Sequence, residues 1–353
     1  MPSKADCVVR FFAYFFCVYQ KSCIFATLEL AKPLNNAQIG GSFFIYMVPY
    51  TKPAKSPKDL VNQLKQRGLI IKDEARAERY IQNIGYYRLS AYMFPFLKDP
   101  KTAHQYKPGV TFDQVLRLYR FDKKLRVVLF NEIEKIEVAF RAAMVNTMTN
   151  RTGDIFWMTN PSYVKPATLS LIQREYARSS EDFITHFKSS YSDPYPPAWM
   201  ISEILPFGNI TWIFKELSDS NKKAIAKQFY LQAPIFESWI TIIALTRNDC
   251  CHHARVWNKV HFIISCDMSK MTRPWISLST DLRRTYYNIC IIKYFLDIIS
   301  PNNDFKEKLI ALFKQFPEID LKAMGFNENW KDEPLWKSEK ECCFKSLFSK
   351  LKK

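Results

Sequence analysis

Apolar side chains recur every three to four residues along much of this chain, most regularly between Phe112 and Met148. Val115, Leu118, Tyr119, Leu125, Val128, Leu129, Ile133, Ile136 and Phe140 follow a helical period there. Glu132, Glu134, Lys135, Glu137 and Arg141 fill much of the opposite face. Glu137 precedes Arg141 by four residues, the spacing of a favourable helical ion pair. The spacing therefore predicts one long amphipathic helix with a solvated face. Ile235–Val260 and Tyr286–Ile299 are predicted as two further helices.

Shorter elements come earlier. Ser56 is a predicted N-cap, Pro57 suits the first helical position, and Asp59 suits the first turn. Leu60 and Leu64 then mark a helix that stops at Arg67-Gly68. A second short helix is expected over Asp73–Ile84, with Gly85 as a tight break before the aromatic run Tyr92–Phe96. The stretch 150–197, rich in Ser, Tyr and Pro, is expected to be less regular. Trp199–Leu217 predicts one or two helices, broken at Pro206 and Gly208. Lys337–Lys353 is a short basic tail, and no internal repeat is found.

Composition sharpens this picture. The chain has only 8 glycines in 353 residues, which argues for helices and short loops over a β-sandwich. The fold class expected is all-α. The formal charge of +17 makes RNA, DNA and anionic membrane the candidate polyanionic partners. Nine cysteines without a CxxC or framework spacing fit reduced thiols and a cytoplasmic protein. Phe11–Tyr19 is apolar, but Arg10 and Lys21 bracket it at about half the length that spans a membrane. No convincing small-residue cleavage site follows it. Residues 1–46 are expected to be an extension outside the fold, with translation starting at Met47.

The chemistry concentrates in Leu245-Thr-Arg-Asn-Asp-Cys-Cys-His-His-Ala-Arg-Val-Trp-Asn258. On an unbroken helix Arg247, Asn248, Cys251, His252, Arg255, Asn258 and Lys259 share an arc of about 140°. His253 falls outside that arc. Cleaving RNA without metal needs a group that moves protons at the ribose 2′-hydroxyl or the leaving 5′-oxygen, and histidine suits this near neutral pH. It also needs a fixed cation for charge building on the phosphoryl oxygens, which a guanidinium supplies. Asn248 could orient the histidine or bind the phosphate. A solvated polar stripe without chemistry accounts for the same periodicity. Cys250, Cys251, His252 and His253 splay around a helix and cannot form one tetrahedral metal site, while His104, His186 and His261 are scattered. No HExxH, Walker loop or GxGxxG occurs, so neither metal nor cofactor is expected. Nothing marks Cys250 or Cys251 as an activated thiol.

Arg247-Asn248-x-x-x-His252 resembles the RxxxxH motif of HEPN ribonucleases. The longer string looks like the signature of the Abi-like abortive-infection family, the AbiD/AbiF type. Further blocks resemble that family in its order. They include Tyr50-Thr-Lys-Pro, Gln66-Arg67-Gly68-Leu69, Ile84-Gly85-Tyr86-Tyr87-Arg88-Leu89-Ser90 and Leu118-Tyr119-Arg120-Phe121-Asp122-Lys123-Lys124-Leu125-Arg126. Pro197-Ala198-Trp199 with Glu203 and Phe207-Gly208, then Met324-Gly325-Phe326 with Trp330, complete the set. The resemblance implies one Abi-like HEPN domain over 47–336, a helical bundle with additional helices and irregular loops. It implies cleavage of single-stranded RNA without metal, leaving a 2′,3′-cyclic phosphate. It further implies a homodimer whose two RxxxxH motifs form one composite site, with a small RNA or protein antitoxin as restraint. Arg247 and His252 would be catalytic, and Asn248 the polar residue after the arginine. His253, Arg255, Asn258, Lys259, Arg120 and Arg126 would support the site or bind RNA.

Two readings follow. One is an RNase toxin that halts the host during phage infection. The other is a non-catalytic RNA-binding or sensor module, with Lys123, Lys124, Arg126, Arg255 and Lys259 as its basic face. Tyr86 and Tyr87 would then stack on bases, unless they pack in the core. A membrane-acting toxin would rest on residues 1–46 alone.

Overall fold

A computed structural model describes residues 49–261, 271–277 and 280–337. The expectations for 1–46, and for the tail beyond Lys337, lie outside the described residues. Among those described there are twelve α-helices and no strand, so the chain is all-α. Two compact units part between Asp113 and Gln114.

The first unit holds α1 (Pro57–Gln66), α2 (Glu74–Ile84) and α3 (Tyr86–Met93). Ser56 Oγ accepts from the Asp59 amide at 3.2 Å, and the Asp59 carboxylate accepts back from the Ser56 amide at 3.3 Å. This reciprocal cap, with Pro57 at the first position, starts α1 where its sequence predicts. Gly68, at φ +89°, follows its last turn. Asp73 caps α2 through the Arg76 amide at 2.8 Å. Gly85, at φ +91°, ends α2 and opens α3 directly, the tight break its position suggests. Val61, Leu64, Ala77, Ile81 and Leu89 are the unit's buried apolar residues on these helices, with Tyr92 and Met93.

Helix α4 (Phe112–Thr152) is 41 residues long, and all of it from Gln114 onward belongs to the second unit. Leu118, Phe121, Leu125, Leu129, Ile133, Ile136 and Phe140 line its buried side. Beyond it come α5 (Pro166–Arg178), α6 (Asp182–Ser190), α7 (Ala198–Ile204), α8 (Phe207–Glu216) and α9 (Asp219–Lys227). Then follow α10 (Ala233–Cys251), α11 (Thr285–Ile299) and α12 (Phe305–Gln315). The supposedly irregular stretch 150–197 thus contains two helices. Between α7 and α8, Pro206 makes the break as the N-cap of α8, while Gly208 sits inside that helix.

The core gathers aromatic rings from α4, α8, α10 and α11. Phe140 meets Phe214 at 5.6 Å and Phe236 at 5.4 Å, and Phe236 meets Phe295 at 5.9 Å. These are edge-to-face contacts, favoured by the ring quadrupole. α11 is buried on nearly every side from Thr285 to Leu296, which explains its continuous rather than periodic apolar sequence. The outward-facing reading of Glu132 is corrected. It is fully buried and carries ion pairs of 2.7 Å to both Lys135 and Lys308.

Candidate active site

The polar string begins on the last turns of α10 but does not stay helical to Val260. The helix ends at Cys251, with His252 as its C-cap. His253 then takes a left-handed conformation at φ 57°. Its amide donates to the Cys250 carbonyl at 3.2 Å, and the Ala254 amide donates to the Asp249 carbonyl at 2.8 Å. This is a Schellman ending with histidine where glycine is usual. The expected arc is therefore valid only as far as His252. Arg255, Asn258 and Lys259 lie on the loop beyond and are not continued along the helical stripe.

That loop is fixed by α4. Asp122, fully buried, accepts from the Val256 amide at 3.1 Å and the Trp257 amide at 2.6 Å. Its other oxygen pairs with Arg126, one turn on. Arg126 also donates to the Ala254 carbonyl at 3.2 Å. Arg126 is only 5% exposed, so its expected role in contacting RNA is corrected. It clamps the turn. Thr285 Oγ1 adds a hydrogen bond to the Val256 carbonyl at 2.7 Å. Asn258, left-handed at φ 50°, accepts from Arg284 at 2.8 Å. Lys259 donates to both Asp249 oxygens at 2.6 Å. Burial pushes the Asp249 carboxyl up, while Lys259 and the charge of His252 draw it down. Asn258 and Lys259 thus hold the loop to α10 and to the start of α11.

Arg247 lies one and a half turns before His252. Its Nε is 3.5 Å from Glu137 Oε2, and its guanidinium carbon is 5.9 Å from the Phe130 ring centre. Nε is buried and makes no hydrogen bond. Glu137 is engaged more closely by Arg141, at 2.6 Å, the helical pair that the spacing predicts. Arg247 faces a cleft of about 260 Å³ lined by Phe130, Glu134, Glu137, Val138, Arg141 and Glu203. His252 and His253 are exposed, and Asn248 is half-buried one turn before His252, whose amide it accepts at 2.9 Å. The glutamates of this cleft were not singled out from sequence as site residues. Periodicity assigns Glu134 and Glu137 to a solvated face, and only the tertiary fold brings them and Glu203 to Arg247.

A family model described as Abi-like protein matches residues 79–258, half of the chain. The chain belongs to the Abi-like family. No curated protein and no solved structure matches it. The matched segment of this Abi-like protein ends at Asn258, so it includes both the Asp122–Arg126 clamp and the loop it holds.

The remaining candidates separate. Arg120 is exposed on a groove of about 690 Å³ between α4 and α12, with Arg117, Lys123 and Lys124. Phe316 closes that groove, and Arg117 is paired there with Glu318. Tyr86 and Tyr87 belong to the first unit. Tyr86 accepts from Arg67 at 3.3 Å, and Tyr87 is 63% exposed, so neither packs in a core. Cys250 is buried and its thiol is pushed up to about 12, so no activated thiolate forms there. Among the described residues, no group of three or more His, Cys, Asp or Glu is placed to hold a metal ion. No helix of the described residues is long and apolar enough to cross a membrane.

The half-buried His261 gives the loop a pH response. Asn288 Nδ2 donates to its Nε2 at 3.3 Å, which requires the neutral ring. Burial first, then Lys259, pushes its pKa down to about 4. A depressed histidine contributes stability that is complete above its unfolded value, about 6.5, and is lost as pH falls towards 4. The expected loss across that window is roughly 2–3 kcal/mol, and His261→Gln should flatten it. Urea unfolding at stepped pH measures both.

Proposed function

We propose that this Abi-like protein is an abortive-infection toxin, a metal-independent HEPN-type endoribonuclease that acts on single-stranded RNA in the cytoplasm. The observation that carries the reading is Arg247. Its guanidinium lies against Phe130 and beside Glu137, its buried Nε makes no hydrogen bond, and it stands just ahead of an exposed histidine. A guanidinium has five donors, and those not used by the fold are available to a phosphate.

His252 would take the proton from the ribose 2′-hydroxyl or return one to the leaving 5′-oxygen. The 2′-oxygen attacks phosphorus and the bond to the 5′-oxygen breaks, giving a 2′,3′-cyclic phosphate and a 5′-hydroxyl. Arg247 would neutralise charge on the phosphoryl oxygens. With one motif per chain, a homodimer would assemble the composite site, and a small RNA or protein antitoxin would restrain it. The groove carrying Arg117, Arg120, Lys123 and Lys124 favours the second reading, an RNA-binding or sensor module without cleavage.

The test is incubation of the purified full chain with single-stranded RNA in EDTA. Cleavage to products ending in a cyclic phosphate is expected. RNA that is shifted in a salt-sensitive way but remains intact supports the binding module instead.

A further inference from the structure

Helix α4 carries a second stripe besides its core face. Arg120, Lys123, Val127, Phe130, Glu134, Glu137 and Arg141 follow one another at alternating steps of three and four residues. That is the spacing of a coiled-coil seam, about 30 Å long, and here its stretch from Arg120 to Glu134 is exposed, while Glu137 and Arg141 beyond it are largely buried and paired with each other. Val127 is 63% exposed, Phe130 40%, and the adjoining Val138 55%. A single exposed valine needs no explanation, but Val127 and Phe130 are neighbours at the centre of the seam and are both exposed.

The charge order along the seam is antisymmetric. Cations stand at its N-terminal end, apolar residues in the middle, and glutamates follow. The pivot lies between Val128 and Leu129. Lys123 and Glu134 are equidistant from it, as are Arg120 and Glu137, and Val127 and Phe130. Neither Lys123 nor Glu134 has an ion-pair partner among the described residues.

We propose that this face binds a second copy of the chain, with the two α4 helices antiparallel about that pivot. Lys123 then meets the partner's Glu134. Val127 packs against the partner's Phe130. An isologous contact of this kind closes on itself. It also completes the cleft. Three glutamates and two arginines line the Arg247 cleft, a net negative surround that repels phosphate. The cation brought by the second copy covers Glu134 and makes the surround of Arg247 less negative. The proposal shares its homodimer with the function proposed above, but the seam stands on α4 alone.

The experiment is sedimentation velocity of the full chain at micromolar concentration, for the wild type, Lys123→Glu, Glu134→Lys and the double exchange. The wild type should be a dimer. Each single reversal, present twice per dimer, should weaken association at least ten-fold, and the double exchange should restore it. Thermal unfolding checks that each variant folds, and the restored double variant excludes a folding defect on its own. A monomeric wild type, or single reversals without effect, overturns the proposal. So does loss of RNA binding in Lys123→Glu that the double exchange does not restore, which assigns the face to RNA. A monomer that cleaves RNA overturns only the interface. A dimer that never cleaves overturns only the nuclease.

Discussion

Replacing Arg247 or His252 by alanine is expected to abolish RNA cleavage, lowering the rate by about 10³-fold or more, while the fold survives. General acid–base groups contribute about 10²–10⁴-fold, and removing one stabiliser of a developing oxyanion costs about 10²–10³-fold. The two changes should not multiply, because groups that act as a unit lose most of their effect once either is gone. Stability should fall by only about 1 kcal/mol or less. His252 is exposed at the helix end, and the buried Nε of Arg247 makes no hydrogen bond. Glu137 keeps its closer partner Arg141 when Arg247 is removed. Arg247→Lys gives the sharper test, since it keeps the charge but loses the planar fork. Little recovery is expected if the fork grips a phosphate. Single-turnover cleavage by each variant, beside its thermal unfolding curve, decides the matter. Variants that cut at the wild-type rate would remove both residues from the chemistry.

The parts of this molecule that were legible in its sequence are those set by local physics. The cap at Ser56 needs only residues within one turn, and the break at Gly85 needs only a backbone freedom that glycine supplies. α4 was legible because 41 residues of helix repeat one apolar spacing many times. The end of α10 was not. Its stop uses histidine in a left-handed position where glycine is the usual sign, and it is held by a carboxylate 134 residues away at Val256. Short helices such as α5 and α6 were missed because each shows few apolar repeats inside a polar, proline-bearing stretch. Pro166 reads as a loop residue but fills the first position of α5.

Charged residues were legible by type but not by burial. Arg126 and Glu132 look like solvated charges on an amphipathic helix, yet both are buried against partners from elsewhere in the chain. A signal was present for the first. Asp122 falls in the seam of Leu118, Leu125 and Leu129, where a carboxylate must have a partner. The candidate site divides in the same way. Arg247 and His252 follow from motif and chemistry, while the glutamates around Arg247 come from α4 and Glu203 and needed the fold.

Asp122→Ala is expected to be the most damaging single change to the site's scaffold, costing about 3–5 kcal/mol. The side chain is fully buried and does three things at once. It balances Arg126, and it accepts the amides of Val256 and Trp257. Removing it leaves a buried guanidinium without its counter-charge and two amides without an acceptor, each a cost of about 1–3 kcal/mol. A buried ion pair can often be exchanged for apolar residues at no loss. That outcome is not expected here, because the backbone amides would still lack a partner. Asp122→Asn with Arg126→Met separates the contributions, since it removes the orphaned cation and keeps one oxygen for the amides. It should fall between wild type and Asp122→Ala in urea unfolding. Cleavage should drop in all these variants even where folding is complete, because the turn they release follows His252 directly. A loss below about 1 kcal/mol for Asp122→Ala would mean that the turn is held by Thr285 and Arg284 instead.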